Sequence, residues 1–215
     1  MELKSSRFTP HVSRHFMQLL LATLASILSD SAPIVFAGLG ETVNERGGVV
    51  NLSVEGTMLL SAMAGFAAAF THSRLAEEFG ITLTNNSNES LVVGFLVAML
   101  VGSIVALLVA FGSITLKRDQ VAVGFVLTLI ASDLSSFLGV PFVRVPGPAV
   151  QALPIPVLAD IPILGPLFFN QDIVTYLSFL LIGGMGWWFY KTQPGLKLRG
   201  TGERPEAAFA RGTNV

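Results

Sequence analysis

Residues 90–116 read SLVVGFLVAMLVGSIVALLVAFGSITL. These 27 residues between Glu89 and Lys117 carry no charge. A helix rises about 1.5 Å per residue, so roughly 20 apolar residues cross the hydrocarbon core of a bilayer. The run therefore predicts a membrane-spanning helix. The rest of the chain agrees with it. Of 215 residues, 52% are hydrophobic and 13% charged, whereas a soluble domain carries about 25% charged residues. A chain so poor in charge is not a soluble globular enzyme.

Working outward from residues 90–116, four more hydrophobic segments emerge: Phe16–Gly40, interrupted by Asp30 and Pro33; Gly56–Thr71, bounded by Glu55 and His72; Val121–Val140, with Asp133 inside it; and Ile173–Tyr190. The fold expected is all-α, a polytopic bundle of about five transmembrane helices. Residues 72–90 read as a polar, Asn-rich loop. Residues 141–172 hold Pro141, Pro146, Pro148, Pro154, Pro156, Pro162 and Pro166. Each proline removes an N–H donor, and lipid cannot satisfy exposed irregular backbone. This stretch must lie outside the bilayer or against protein, and its apolar side chains favour packing onto helix ends. Lys4, Arg7 and Arg14 ahead of an apolar run look somewhat like a signal peptide, but the match to a cleavage site is poor and the apolar chain continues to Gly40. No tandem repeat and no soluble domain are evident, so residues 1–215 read as one membrane domain.

In the third segment Gly94, Ala98, Gly102, Ala106 and Ala110 recur every four residues. They form one helical stripe on which another backbone can approach closely. Lys and Arg placement favours a cytoplasmic C-terminus. That orientation puts Arg46, Lys117, Arg118, Lys191, Lys197, Arg199, Arg204 and Arg211 inside and Lys4, Arg7, Arg14, Arg74 and Arg144 outside. Residues 141–172 then face outward.

A net charge of −1 offers no basic surface for nucleic acid. With no cysteine, and with His11, His15 and His72 lacking partners at ligand spacing, no metal site is expected. Charges inside apolar segments are costly and therefore candidates for function, which singles out Asp30 and Asp133. The link between the first two segments, residues 40–56, is polar though flanked by spans. Gly47 and Gly48 permit unusual backbone, and Asn51 or Ser53 could cap the next helix. Broken segments beside glycines are what transporter sites use, which makes Asn51, Ser53 and Glu55 candidates for the translocation path. Near the C-terminus, Gly195–Gly212 looks like a short soluble helix, with Pro205 in its first turn and Gly212 at its end. Ala207, Ala208 and Arg211 share one face there.

Three stretches, GLGETVNERGGVVNLSVEG at 38–56, RDQVAVGF at 118–125 and TQPGLKLRGTGERPEAAFARGTNV at 192–215, carry a resemblance to permease subunits of bacterial ABC importers, in the ribose-type group and closest to its simple-sugar and nucleoside branch. The resemblance covers nearly the whole chain from about residue 19. It implies a bacterial inner-membrane location, an ATP-binding cassette subunit as partner, a second permease subunit and an extracytoplasmic solute-binding protein. It implies that 191–215 is a cytoplasmic coupling segment, in which Pro205, Glu206, Ala207, Ala208 and Arg211 dock on the ATPase. It also implies that the 38–56 motif lies at the permease core, near the path. Members of the family continue past the position of Val215, so the chain is expected to match an N-terminal half, a truncated form or a fragment that does not transport. No cofactor is expected, and no GxxxxGK[ST] loop is present to bind a nucleotide. A rival reading, an intramembrane enzyme, would need acid–base groups clustered in the membrane. Asp30, Glu41, Glu45, Glu55 and Asp133 are available, but no His, Cys or Lys pairs with them inside the spans.

Overall fold

The computed structural model describes residues 10–78, 86–159 and 161–213. Lys4, Arg7, residues 79–85 of the 72–90 stretch and Val215 lie outside the described residues. The helices are α1 (Pro10–Asp30), α2 (Ala32–Arg46), α3 (Val54–Glu78), α4 (Asn86–Ala110), α5 (Gln120–Gly139), α6 (Ile173–Lys191), α7 (Gln193–Glu203) and α8 (Pro205–Ala210). No strand occurs among the described residues, only an isolated bridge between Ala152 and Asp172. Among the described residues five stretches are long and apolar enough to cross a membrane: His15–Arg46, Val54–Glu78, Asn88–Thr115, Gln120–Phe142 and Ile173–Lys191. The protein is an all-helical, multi-pass membrane protein.

The expected segments are all present, but most of the helices run further. α1 and α2 break only at Ser31, where Ser31 N–H still donates to the Ile27 carbonyl at 3.0 Å. Pro33, two residues on, cannot donate to the Ser29 carbonyl, which accounts for the break. α2 continues through the polar residues to Arg46, so the link expected over 40–56 shrinks to residues 47–53. α3 likewise extends to Glu78 and α4 begins at Asn86. Polar side chains end a membrane span without ending a helix, because backbone hydrogen bonds persist in water.

The fold divides into two compact units, Met1–Phe36 with Gln151–Ile182, and Ala37–Val150 with Gly183–Val215. In the second unit α3 packs along α4 and α5. The small-residue stripe of α4 is the packing face over its first half. A Cβ placed on Gly94 would lie 2.8 Å from the Gly65 carbonyl oxygen, and one on Gly65 would lie 2.9 Å from that of Gly94. Only glycine at both positions allows this approach. Beyond the bundle, Phe142 sits edge-on to Phe66 and Phe70, and Gly147 lies against the Phe66 ring. The start of the Pro-rich stretch thus packs onto α3, as its apolar content suggests.

In the first unit the end of that stretch is tied to α1. Ser29 Oγ donates to Asp172 at 2.6 Å, and Thr175 N–H donates to the same carboxylate at 2.9 Å, starting α6. Gln171, 3% exposed, donates to the carbonyls of Leu167 and Ala25. Burial of Asp172 opposes its ionisation, but the hydrogen bonds from Ser29, Thr175 and the Val174 N–H outweigh it and hold its pKa below the ordinary aspartate value.

Candidate functional site

The link 47–53 is held on several sides, and each side comes from one of the three stretches singled out above. Its own stretch supplies α2 and the turn after it. Glu41 and Asn44 sit three residues apart on one face of α2. Glu41 accepts from Asn44 Nδ2 at 3.2 Å and from the Asn51 N–H at 3.4 Å. Val49 N–H returns to the Asn44 carbonyl at 2.9 Å. Gly48 takes φ +84°, a left-handed conformation that suits glycine. Asn51 Oδ1 accepts from Ser53 N–H and from Ser53 Oγ, at 3.0 and 2.7 Å, so Ser53 is fully buried and α3 begins from a closed polar turn.

The 118–125 stretch supplies the second side. Asp119 caps α5 by accepting from Ala122 N–H at 2.9 Å. Gln120 Oε1 then accepts from Val50 N–H at 3.2 Å. Gly124 leaves room for the Leu52 backbone, since a Cβ there would lie 2.9 Å from Leu52 N. One turn further, Thr128 Oγ1 donates to the Leu52 carbonyl. Every irregular residue from Val49 to Ser53 except Leu52 therefore has its N–H engaged, and Leu52 its carbonyl, as backbone near a membrane requires.

The C-terminal stretch supplies the third. Thr192 caps α7, accepting from Gly195 N–H at 3.3 Å, while its hydroxyl donates to Trp188 O at 2.6 Å. This turns the chain sharply at the end of α6. Leu198 then lies against Gly47. Gly202 meets the link backbone to backbone: its added Cβ would overlap the Arg46 carbonyl and lie 2.9 Å from Gly48 N.

On the open side of the link are two adjoining cavities of about 140 and 200 Å³. Asn44, Asn51 and Ala106 line both. Glu41, Ser53 and Thr57 line the first, and Ser113 and Gln120 the second. The lower half of the α4 stripe, Ala106 and Ala110, faces this space rather than a packed helix.

Among the path residues expected from sequence, Asn51 and Ser53 come together here. Glu55 is exposed in the first turn of α3, Asp30 is exposed and accepts from Ser26 Oγ at 3.2 Å, and Asp133 is exposed on α5. None of these three lines the cavities. Glu41 and Asn44 fall within the 38–56 stretch and Gln120 within 118–125, but neither they nor Thr57 were singled out as path residues. The i, i+3 polar pair in α2 was the one visible signal.

The C-terminal residues divide in the same way. The expected single helix over Gly195–Gly212 is two, broken at Arg204. The N-cap threonine and Pro194 of the first were legible in TQPG. Pro205 does start α8, and Gly212 follows it with φ +79°. Of the residues expected on one docking face, Ala207 and Arg211 are exposed and Ala208 is buried, at 9% exposure. What α8 exposes is Glu206, Ala207, Phe209 and Arg211, with Phe209 71% exposed.

Residues 23–215 match the model of the family described as branched-chain amino acid transport system / permease component. The chain belongs to this permease family. It is 30% identical over 203 residues to TsgC13 of Haloferax volcanii, named as a glucose ABC transporter permease protein, covering 93% of this chain and 57% of that one. It is 30% identical over 197 residues to the nucleoside ABC transporter permease protein NupC of Lactococcus lactis, with 89% and 59% covered. To the guanosine ABC transporter permease protein NupQ of Bacillus subtilis it is 30% identical over 207 residues, with 93% and 61% covered. The chain thus spans about three-fifths of the length of these relatives. No solved structure matches it significantly.

Proposed function

We propose that the chain acts as a membrane permease component of an ATP-driven importer for a simple sugar or nucleoside. The observation that carries this is the convergence of the three stretches on one link, with a cavity lined in part by polar side chains on one side and the exposed α8 nearby in sequence. The names of the relatives supply the solute class. The carboxylate, amides and hydroxyls of Glu41, Asn44, Asn51, Ser53 and Thr57 are the groups that pair with hydroxyl-rich solutes. Asn51 and Ser53 keep their place in the path; Glu55, Asp30 and Asp133, exposed on other faces, are candidates for contact with further permease subunits or helices, since a charge on an apolar span is poorly tolerated by lipid.

In this reading residues 1–215 work as one membrane domain of the bacterial inner membrane. The 191–215 segment is cytoplasmic, and ATP hydrolysis belongs to a separate ATP-binding cassette subunit. A second permease subunit and an extracytoplasmic binding protein complete the importer. Pro205 and Glu206 start the docking helix, Ala207 and Arg211 lie on its outer face, and Ala208 anchors it from within. Phe209 is the apolar contact, of the kind that dominates interface energetics. Co-purification with the cognate ATPase tests this. Phe209→Ala should reduce capture strongly and Arg211→Ala modestly, since a rim charge contributes mainly to association rate. Undiminished capture by Phe209→Ala and by Ala207→Trp, at equal expression, would remove α8 from the interface.

A further inference from the structure

We infer that Gly202, at the end of α7, is a positioning residue for the cavity wall, acting through the backbone of Gly48. The inference deepens the permease reading and takes its functional meaning from it.

The geometry isolates one contact. Two glycines lie on α7 two residues apart, and they differ in surroundings. A Cβ on Gly200 would meet nothing within 4 Å. One on Gly202 would overlap the Arg46 carbonyl and crowd Gly48 N. In return, a Cβ on Gly48 would lie 3.2 Å from the Gly202 Cα. The two backbones are in direct contact, with no flexible side chain between them to absorb a displacement. Gly48 is covalently next to Val49, and Val49 and Asn51 line the cavities. Asn51 in turn holds Ser53 and is held by Glu41.

The opposite side of the link is fixed. Gln120, Gly124 and Thr128 clamp Val50 and Leu52 to α5, which itself packs along α3. A shift of the α7 end therefore cannot carry the whole link as a rigid piece. It must be taken up between Gly47 and Val49, where Gly48 already occupies a conformation only glycine adopts easily. Packed backbone transmits a displacement that a side-chain contact would damp. Gly202 thus sets where Val49 stands, and a load applied to α8 reaches the cavity through Glu203, Arg204 and one contact.

The absence of cysteine from the chain allows a single reporter, Val49→Cys, half open beside the contact. Its labelling rate with a small thiol reagent is read in purified chain in bilayer discs. Gly202→Ala should raise the rate about threefold or more, and Gly202→Leu further, because the link must yield locally. Gly200→Ala and Gly200→Leu should leave it unchanged. An unchanged rate in Gly202→Ala, or an equal rise in Gly200→Leu, would overturn the inference. If Gly202→Leu does not fold, Gly202→Ala decides alone. Adding the cognate ATPase with a non-hydrolysable ATP analogue should shift labelling in the parent and not in Gly202→Ala; an equal shift in both would also overturn it. The first arm needs no ATPase. A chain that labels as expected but captures no ATPase therefore refutes the permease reading while the contact stands.

Discussion

Two glycine contacts in the same unit, Gly65–Gly94 and Gly48–Gly202, both set backbone against backbone and do different work. At the α3–α4 seam both partners are helical. Their N–H and C=O groups are already paired within each helix, so the approach contributes only packing and excludes polar atoms. At the link one partner is irregular. Its polar groups are satisfied by side chains from three other places: Glu41, Gln120 and Thr128. A seam of the first kind has one arrangement. A strap of the second kind can yield at Gly48, which lies ahead of the residues its side-chain partners hold. Rigidity and adjustability here come from what satisfies the backbone, not from how near it lies.

The largest effect should come from breaking the seam. Gly94→Leu places bulk where even one carbon would lie 2.8 Å from a backbone oxygen, and overpacking of this kind costs about 1–3 kcal/mol or more. Gly102→Ala on the same stripe meets the Ser61 hydroxyl at 3.3 Å, which can rotate, and Thr57 Cγ2 at an ordinary 3.8 Å. Thermal unfolding in detergent should fall clearly for the first and little for the second. Equal losses would show that the stripe packs uniformly and that the Gly65–Gly94 crossing has no special status.

A smaller effect separates packing from polar clamping by pH. The Asp172 clamp belongs to the second kind of contact, and its carboxylate titrates lower in the folded protein than in the unfolded chain. A depressed pKa contributes stability that is complete above the ordinary aspartate value and is lost as pH falls through the folded value. Asp172→Asn should therefore be less stable than the parent at neutral pH, and the difference should shrink on acidification below the ordinary aspartate range. The cost of Gly94→Leu should not change over that window. If the Asp172→Asn difference were flat with pH, the carboxylate's charge would not be what holds α6 to Ser29.

The spans were legible because a long apolar run has few alternatives. Their ends were not. Gly40–Arg46 looked like loop because it is polar, yet α2 needs only its own backbone to continue there. Gly47-Gly48 marked the link correctly, since two adjacent glycines weaken a helix wherever it stands. The cavity could not be read, because Glu41, Ala106 and Gln120 are brought together by packing that no local pattern encodes. Asp30 and Asp133 stood out for their charge, and charge in a span signals that something polar must be near without saying that it belongs to the same chain. Ala208 was expected on a docking face and is buried within this chain, since a small residue fits a partner's groove and its own fold equally well.

The smallest effect should be at α6, and it bounds the comparison from the other side. Gly183, Gly184 and Gly186 lie on a span, as Gly94 does, but an added Cβ on any of them meets nothing within 4 Å. If glycine in this protein matters only where backbones touch, these three are free positions within this chain. Alanine loses less conformational freedom than glycine in a helix, so Gly184→Ala should leave stability unchanged or raise it by at most about 1 kcal/mol. Unfolding of the purified chain, measured beside Gly94→Leu in the same detergent, gives the contrast directly. The same substitution in chain assembled with its permease partner then asks a separate question. A loss there, with none in the chain alone, would mean that α6 meets another backbone across those glycines, and that the seam between α3 and α4 has a counterpart between subunits.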